Sequence, residues 1–321
     1  MMKNTRTRHL VTIKLLAAVL LFSLCLCSCT SGQIPAADAL TVTDDLGRSV
    51  TVKRNPTRVT ALLGSFAEVW LLSGGTLTGA ASDAWVDFEL SLDGVANIGG
   101  VHSPSLEAVI SSKPELVLAS ASTASHLDMK DTLTAMGIAV LYFEVDTFED
   151  YLGMLQRCTD ITDRADLYAK NGLDLRERIE GIKKAYRESQ IPEHARRILL
   201  LRASSTAVKP KGSEGTVLGE MLADMGCINI ADREGSSLEN LSLEAILRED
   251  PYHIFIVTMG KDEAAAMHSL QTMMRENPAW ESLDAVKNGR IYLMDKKQFN
   301  IKPNARWAQS YDVLYQKLIT P

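Results

Sequence analysis

The run Ser105-Leu106-Glu107-Ala108-Val109-Ile110, followed by Pro114 and the apolar stretch Leu116-Val117-Leu118, occurs twice in this chain. Its second copy is Ser242-Leu243-Glu244-Ala245-Ile246-Leu247, followed by Pro251 and Ile254-Phe255-Ile256-Val257. The offset is 137 residues at each matched position (105 to 242, 107 to 244, 114 to 251). Each copy reads as one unit: a Ser N-cap, a short helix with Glu in its first turn, a stop at Pro, then a buried strand. Two copies this far apart imply two lobes of similar build, with Glu107 and Glu244 at equivalent places. A lone Glu there would merely complement the helix dipole. A matched pair in matched context points to a shared role.

A chain of 321 residues suits two lobes better than one core. With 46% apolar and 23% charged residues it is globular in composition, and a net charge of −6 without any basic block argues against nucleic acid as a partner. The first residues read as a targeting segment. Lys3, Arg6, Arg8 and Lys14 precede an apolar run, Leu15 to Leu26, that is short for a membrane span. The run ends in Leu26-Cys27-Ser28-Cys29, which resembles the lipobox of bacterial lipoproteins, with Cys29 as the lipidated residue. Residues 1–28 are thus expected to be a signal peptide and 29–39 a lipid-anchored tether, placing the protein on the extracytoplasmic face of the cell membrane. Cys158 and Cys227 match no zinc spacing, and either pair outside the cell or stand as buried free thiols.

Leu40 to Val52 alternates as a hairpin with Gly47 in its turn. Strands are expected at 58–63, 77–81, 116–119 and 140–143, alternating with helices, the first opened by a capping box of Ser65 and Glu68. Another helix is expected over 126–136, and a further one over 148–157. Such alternation predicts a mostly parallel sheet covered on both faces. Then Ile161, Ala165, Tyr168, Gly172, Leu175, Ile179, Ile182 and Tyr186 step by four or three, predicting one long amphipathic helix, or two helices broken at Asn171-Gly172. After Pro192 the strand–helix alternation resumes. The expected divisions are an N-terminal α/β lobe over 40–158, a linker helix over 159–191 and a C-terminal α/β lobe over 192–321.

This order of parts resembles the substrate-binding lipoproteins of bacterial ABC importers, in the group that serves ferric siderophores, haem and cobalamin. The resemblance is carried by Asp44-Asp45-Leu46-Gly47-Arg48, by Leu62-Leu63-Gly64-Ser65-Phe66-Ala67-Glu68, by the two Ser-Leu-Glu units and by the long helix. It implies two α/β lobes with mostly parallel sheets, joined by one long helix, with a ligand cleft between them. It also implies that Glu107 and Glu244 dock on arginines of a permease dimer served by an ATPase. A ligand of the family, an iron or cobalt chelate rather than a resident cofactor, would sit at the C-terminal ends of the strands.

On that basis Ser65, Trp85, His102, Ser122, His126, Arg202, Met259 and Asn300 are the candidate contacts. Trp85 offers a ring to stack on a large flat ligand, and Arg202 offers forked donors to a carboxylate or propionate. His102 lies in a loop where an axial ligand to haem iron is conceivable, while Trp307 reads as core. No His pair or His-Asp-Glu cluster suits a bare metal ion. No G-x-S-x-G, phosphate loop or H-E-x-x-H suggests catalysis, so the chain reads as a monomeric binding protein and not an enzyme. A lipid-anchored sensor, an adhesin or a two-lobed enzyme on the same fold are the rival readings.

Overall fold

A computed structural model describes residues 38–232, 242–260 and 262–320. The expected signal peptide, Cys29 and nearly all of the tether lie outside the described residues. Strands β1 (Ala39–Thr43) and β2 (Ser49–Lys53) form the expected hairpin, with Gly47 at φ 74° in its turn. The Asp44–Arg48 motif is a clamp. The buried Asp44 carboxylate accepts from the amides of Leu46 and Arg48 and from the Arg48 guanidinium. Arg48 in turn donates to the Val140 carbonyl at 2.8 Å, and the Tyr142 amide donates to Asp44, tying the hairpin to the first lobe.

The N-terminal lobe runs β3 (Val59–Ala61), α1 (Gly64–Leu72), β4 (Gly79–Ala80), α2 (Asp83–Val86) and β5 (Ala96–Asn97). A short hairpin, β6 (Gly99–Gly100) and β7 (Ser103–Pro104), leads to α3 (Leu106–Ser111) and β8 (Leu116–Ser120). Then come α4 (Ala124–Leu127), α5 (Lys130–Ala135), β9 (Ala139–Phe143) and α6 (Phe148–Thr162). The sheet order is β5-β4-β3-β8-β9, and all its pairings are parallel. Buried residues on both faces of β8 (Leu116 and Leu118 in one cluster, Val117 and Ala119 in another) explain why its sequence is continuously apolar. The helix expected over 126–136 is two short helices, α4 and α5, because His126 is drawn inward and the chain turns again at Asp128–Met129.

The C-terminal lobe contains β10 (Arg197–Ala203), β11 (Val208–Lys211), α9 (Val217–Asp224), β12 (Ile228–Asn229), α10 (Leu243–Glu249) and β13 (His253–Thr258). It closes with α11 (Glu263–Glu276), α12 (Asp284–Lys287), β14 (Ile291–Met294), α13 (Lys296–Phe299) and α14 (Trp307–Leu318). Its sheet order is β11-β10-β13-β14, with β12 also on β10, and only β11 is antiparallel. The repeat governs both lobes. Ser105 caps α3 through the Ala108 amide and Ser242 caps α10 through the Ala245 amide, each at 3.2 Å. Lys113 and Asp250, again 137 apart, both take a left-handed conformation before the proline. The next amides, of Glu115 and Tyr252, donate to the carbonyls of Arg58 and Arg197 at the starts of the paired strands.

Between the lobes run α7 (Ala165–Tyr168), a π turn over Ala169–Leu173 and α8 (Asp174–Glu188). The expected start at 159 falls inside α6, which continues to Thr162 and is stopped by Asp163 in a left-handed conformation. From 165 to 188 the rod is about 36 Å long. The π turn sits at Asn171-Gly172 for a packing reason. A Cβ on Gly172 would meet Leu152 at 2.9 Å, while Tyr151 donates to the Asn171 carbonyl and Asn171 donates to the Leu72 carbonyl. The rod thus deforms where it lies against the first lobe and does not break. Residues 40–321, both lobes included, form one compact unit.

Candidate functional site

The cleft lies where the C-terminal ends of the two sheets meet. The first helix after a strand, α1, is not capped as expected. Leu63 occupies the N-cap without a side-chain bond, and Ser65 lies inside the helix. The cap comes from another segment: Asp83 Oδ2 accepts from the Gly64 amide at 2.9 Å. The contact is close, since a Cβ on Gly64 would meet the Ala84 amide at 2.6 Å and the Phe88 ring at 2.7 Å. Gly64 and Asp83 together therefore fix α2, which carries Trp85, against α1. Burial raises the Asp83 pKa, and its Oδ1 has no hydrogen-bond partner among the described residues.

Glu68 is the keystone of the seam. Its carboxylate accepts from Asn304 Nδ2 at 2.6 Å and from Arg306 at 3.0 Å, while Asn304 also donates to the Ser65 carbonyl. A capping box would have turned Glu68 back on its own helix; instead it reaches the other lobe. Three more ion pairs cross between the lobes: Lys296–Asp87 at 3.0 Å, Lys297–Glu89 at 2.7 Å and Lys302–Asp146 at 2.7 Å. Sequence reasoning missed all of them, because the partners are 156 to 238 residues apart. The one legible signal was that residues 296–306 hold four cations and no acid.

The candidate contacts divide sharply. Trp85 is half-buried on the short helix α2, not in a loop, and packs against the main core. Met259 follows β13 and is 51% exposed. The two segments meet, since Lys296 Nζ holds Asp87 and also lies 3.4 Å from the Gly260 carbonyl. Asn300 is half-buried and donates to the Thr258 carbonyl at 2.9 Å. Arg202 is half-buried near the end of β10, in register with Val257. Its Nε has no partner among the described residues, and burial lowers its pKa. His102 is exposed in the turn between β6 and β7, and Ser122 is exposed after β8 with its hydroxyl 3.2 Å from that of Ser120.

Two candidates are removed from any surface. Ser65 is 2% exposed inside α1. His126 is fully buried, with Nδ1 accepting from the Ser120 amide and Nε2 bonded to the Val101 carbonyl at 2.8 Å. Burial pushes its pKa down to about 4, so it is a neutral strut between the end of β8 and the turn between β6 and β7. Trp307 is fully buried, edge-on to Phe148 at 5.9 Å. Glu107 and Glu244 are both exposed in the first turns of α3 and α10. Each helix leads directly into the next strand, α3 into β8 and α10 into β13.

Among the described residues, no group of three or more His, Cys, Asp or Glu is placed to hold a metal ion, and no helix is long and apolar enough to cross a membrane. Cys158 and Cys227 are free thiols; burial raises the pKa of each to about 12.

Two similar lobes, a helical rod and a cleft at the strand ends define a two-lobed solute-binding protein. Residues 59–298 match the periplasmic binding protein family, and the chain belongs to that family, whose members are binding proteins. The chain is 24% identical over 314 residues to the putative ABC transporter substrate-binding lipoprotein YhfQ of Bacillus subtilis, covering 92% of this chain and 94% of that one. It is also 24% identical to the Fe(3+)-citrate-binding protein YfmC of the same organism, covering 91% of each. The crystal structure of Staphylococcus aureus IsdE complexed with heme superposes with a TM-score of 0.68 at 16% identity, covering 82% of this chain and 99% of that one.

Proposed function

We propose that this protein is the extracytoplasmic solute-binding component of an ABC importer, which captures a metal chelate of the siderophore, haem or cobalamin kind and hands it to a permease. The observation that carries the reading is the paired unit: Glu107 and Glu244 are exposed in equivalent first turns, one on each lobe. Neither makes an ion pair with another described residue, so both carboxylates are free for arginines of a partner. Exposed charges of this kind steer an encounter and fix its orientation while adding modest affinity, which lets the emptied protein leave. Lipidation at Cys29 would hold the protein, as a monomer, at the membrane surface. The ligand would lie among Trp85, His102, Ser122, Arg202, Met259 and Asn300.

The test is a titration with haem, cobalamin and ferric siderophores followed by tryptophan fluorescence. Trp70, Trp280 and Trp307 are all buried, so the half-buried Trp85 dominates any quenching. Saturable submicromolar quenching by one class is expected. The double variant Glu107→Lys, Glu244→Lys should keep that affinity and abolish uptake in cells; normal uptake by it would refute the docking role.

A further inference from the structure

Among the described residues, the four ion pairs that cross the cleft share one polarity. The cations Lys296, Lys297, Lys302 and Arg306 come from the C-terminal lobe, and the anions Asp87, Glu89, Asp146 and Glu68 from the N-terminal lobe. They are not equivalent in depth. The Glu68 side chain is 12% exposed and held by both Asn304 and Arg306, as a structural joint would be. The pairs of Lys296 and Lys297 are more exposed at their carboxylates, and they join the segment after α2 to α13, which follows β14. Asp87 and Glu89 follow Trp85 and the exposed Val86; Lys296 reaches back to Gly260, beside the exposed Met259.

A solute seated between Trp85 and Met259 must displace these two pairs. The carboxylates then return to water at small cost, since the Glu89 side chain is already 73% exposed. The lysines stay behind: Lys296 is the more buried member of its pair, at 26% against 32%, and Lys297 of its own, at 40% against 73%. Roofed by a ligand, an unpaired ammonium loses hydration without compensation unless the ligand brings its own anionic oxygens. Arg202 stands in register with Val257, which pairs with Met294, two residues before Lys296, and its Nε is unpartnered. It supplies a third cation at the same sheet edge.

We propose that Lys296 and Lys297 determine specificity by carboxylate exchange: Asp87 and Glu89 hold them in the empty protein, and a carboxylate-rich ferric chelate takes their place. This rests on the reading of the cleft as a chelate site. The lobes of the empty protein are thereby latched, and a neutral solute, which leaves two unmatched ammonium groups, is refused.

The experiment compares wild type, Lys296→Gln/Lys297→Gln and Asp87→Asn/Glu89→Gln, titrated with ferric citrate, haem and cobalamin. With ferric citrate, loss of the lysines should weaken binding about 100-fold, as expected for two charge-assisted contacts. Loss of the competing carboxylates should strengthen it about fivefold, the scale of exposed pairs, and neither protein that keeps both lysines should bind cobalamin. Equal affinity of all three proteins for ferric citrate would overturn the proposal and leave the chelate-binding reading standing. Tight binding of cobalamin by wild type, or of haem independent of both lysines, would overturn it likewise. Silence of every protein toward every chelate would overturn the proposal and the chelate reading together.

Discussion

His253 should make the protein acid-labile in a way one substitution can isolate. It is fully buried at the start of β13 among the rings of Tyr252, Phe255 and Tyr292, at 4.8, 6.0 and 5.9 Å. Neither ring nitrogen has a hydrogen-bond partner among the described residues. Burial, reinforced by the Arg290 guanidinium, lowers its pKa from 6.5 to about 4. A depressed folded pKa means that stability is fully present above about 6.5 and is lost as pH falls toward 4, because the unfolded chain takes up the proton first. Between pH 7.5 and 5 the loss from this residue alone is about 2 kcal/mol. That corresponds to about 3 °C in Tm for a chain of this size. His253→Phe keeps the ring stack and removes the titration. The assay is thermal unfolding by circular dichroism at pH 7.5 and pH 5, for wild type and variant. The variant should lose about 3 °C less on acidification; an acid-induced drop equal to that of wild type would refute the assignment. His126, also displaced to about 4, is expected to leave a residual drop in the variant with the same sign.

Other consequences can be read from single contacts. Asp44→Ala should destabilise by about 3 kcal/mol, since it strands Arg48 and frees the Leu46, Arg48 and Tyr142 amides; urea unfolding measures this, and a change below about 1 kcal/mol would show that the clamp is not needed. Gly64→Ala should push α2 outward, because its Cβ has no room beside the Ala84 amide, and the Trp85 emission maximum should move to longer wavelength; an unchanged spectrum would contradict the close approach. Glu68→Gln removes the charge from the Asn304–Arg306 joint, and hydrogen exchange should speed up over 304–306 while 116–120 stays protected. Trp307→Ala should cost about 4 kcal/mol through the cavity it leaves against Phe148, read by thermal unfolding, and little loss would mean that α14 is not part of the core.

The local units of this fold were written in the sequence. Ser105 and Ser242, their following helices and the stops at Pro114 and Pro251 depend on capping and dipole terms acting over a few residues, and the spacing of 137 residues preserved them in both lobes. The alternation of apolar strands with amphipathic helices fixed the parallel sheets, since a strand apolar throughout needs cover on both faces. The exposed positions of Glu107 and Glu244 follow from the same local rules.

What the sequence could not decide was which polar group answers which across the chain. Ser65 and Glu68 have capping-box spacing, yet Asp83 caps α1 and Glu68 turns to Arg306, because a contact 238 residues distant leaves no local pattern. His126 read as a candidate ligand contact and is a buried strut, because the end of β8 and the turn between β6 and β7 brought an amide and a carbonyl to its ring. The linker carries its π turn where Gly172 meets Leu152 and Leu155, a packing demand invisible in the periodicity of the helix itself. The cations of residues 296–306 were legible as a cluster, but only the approach of the other lobe gave each its carboxylate. Local hydrogen bonding and periodicity set the elements; non-local packing and charge pairing set the cleft.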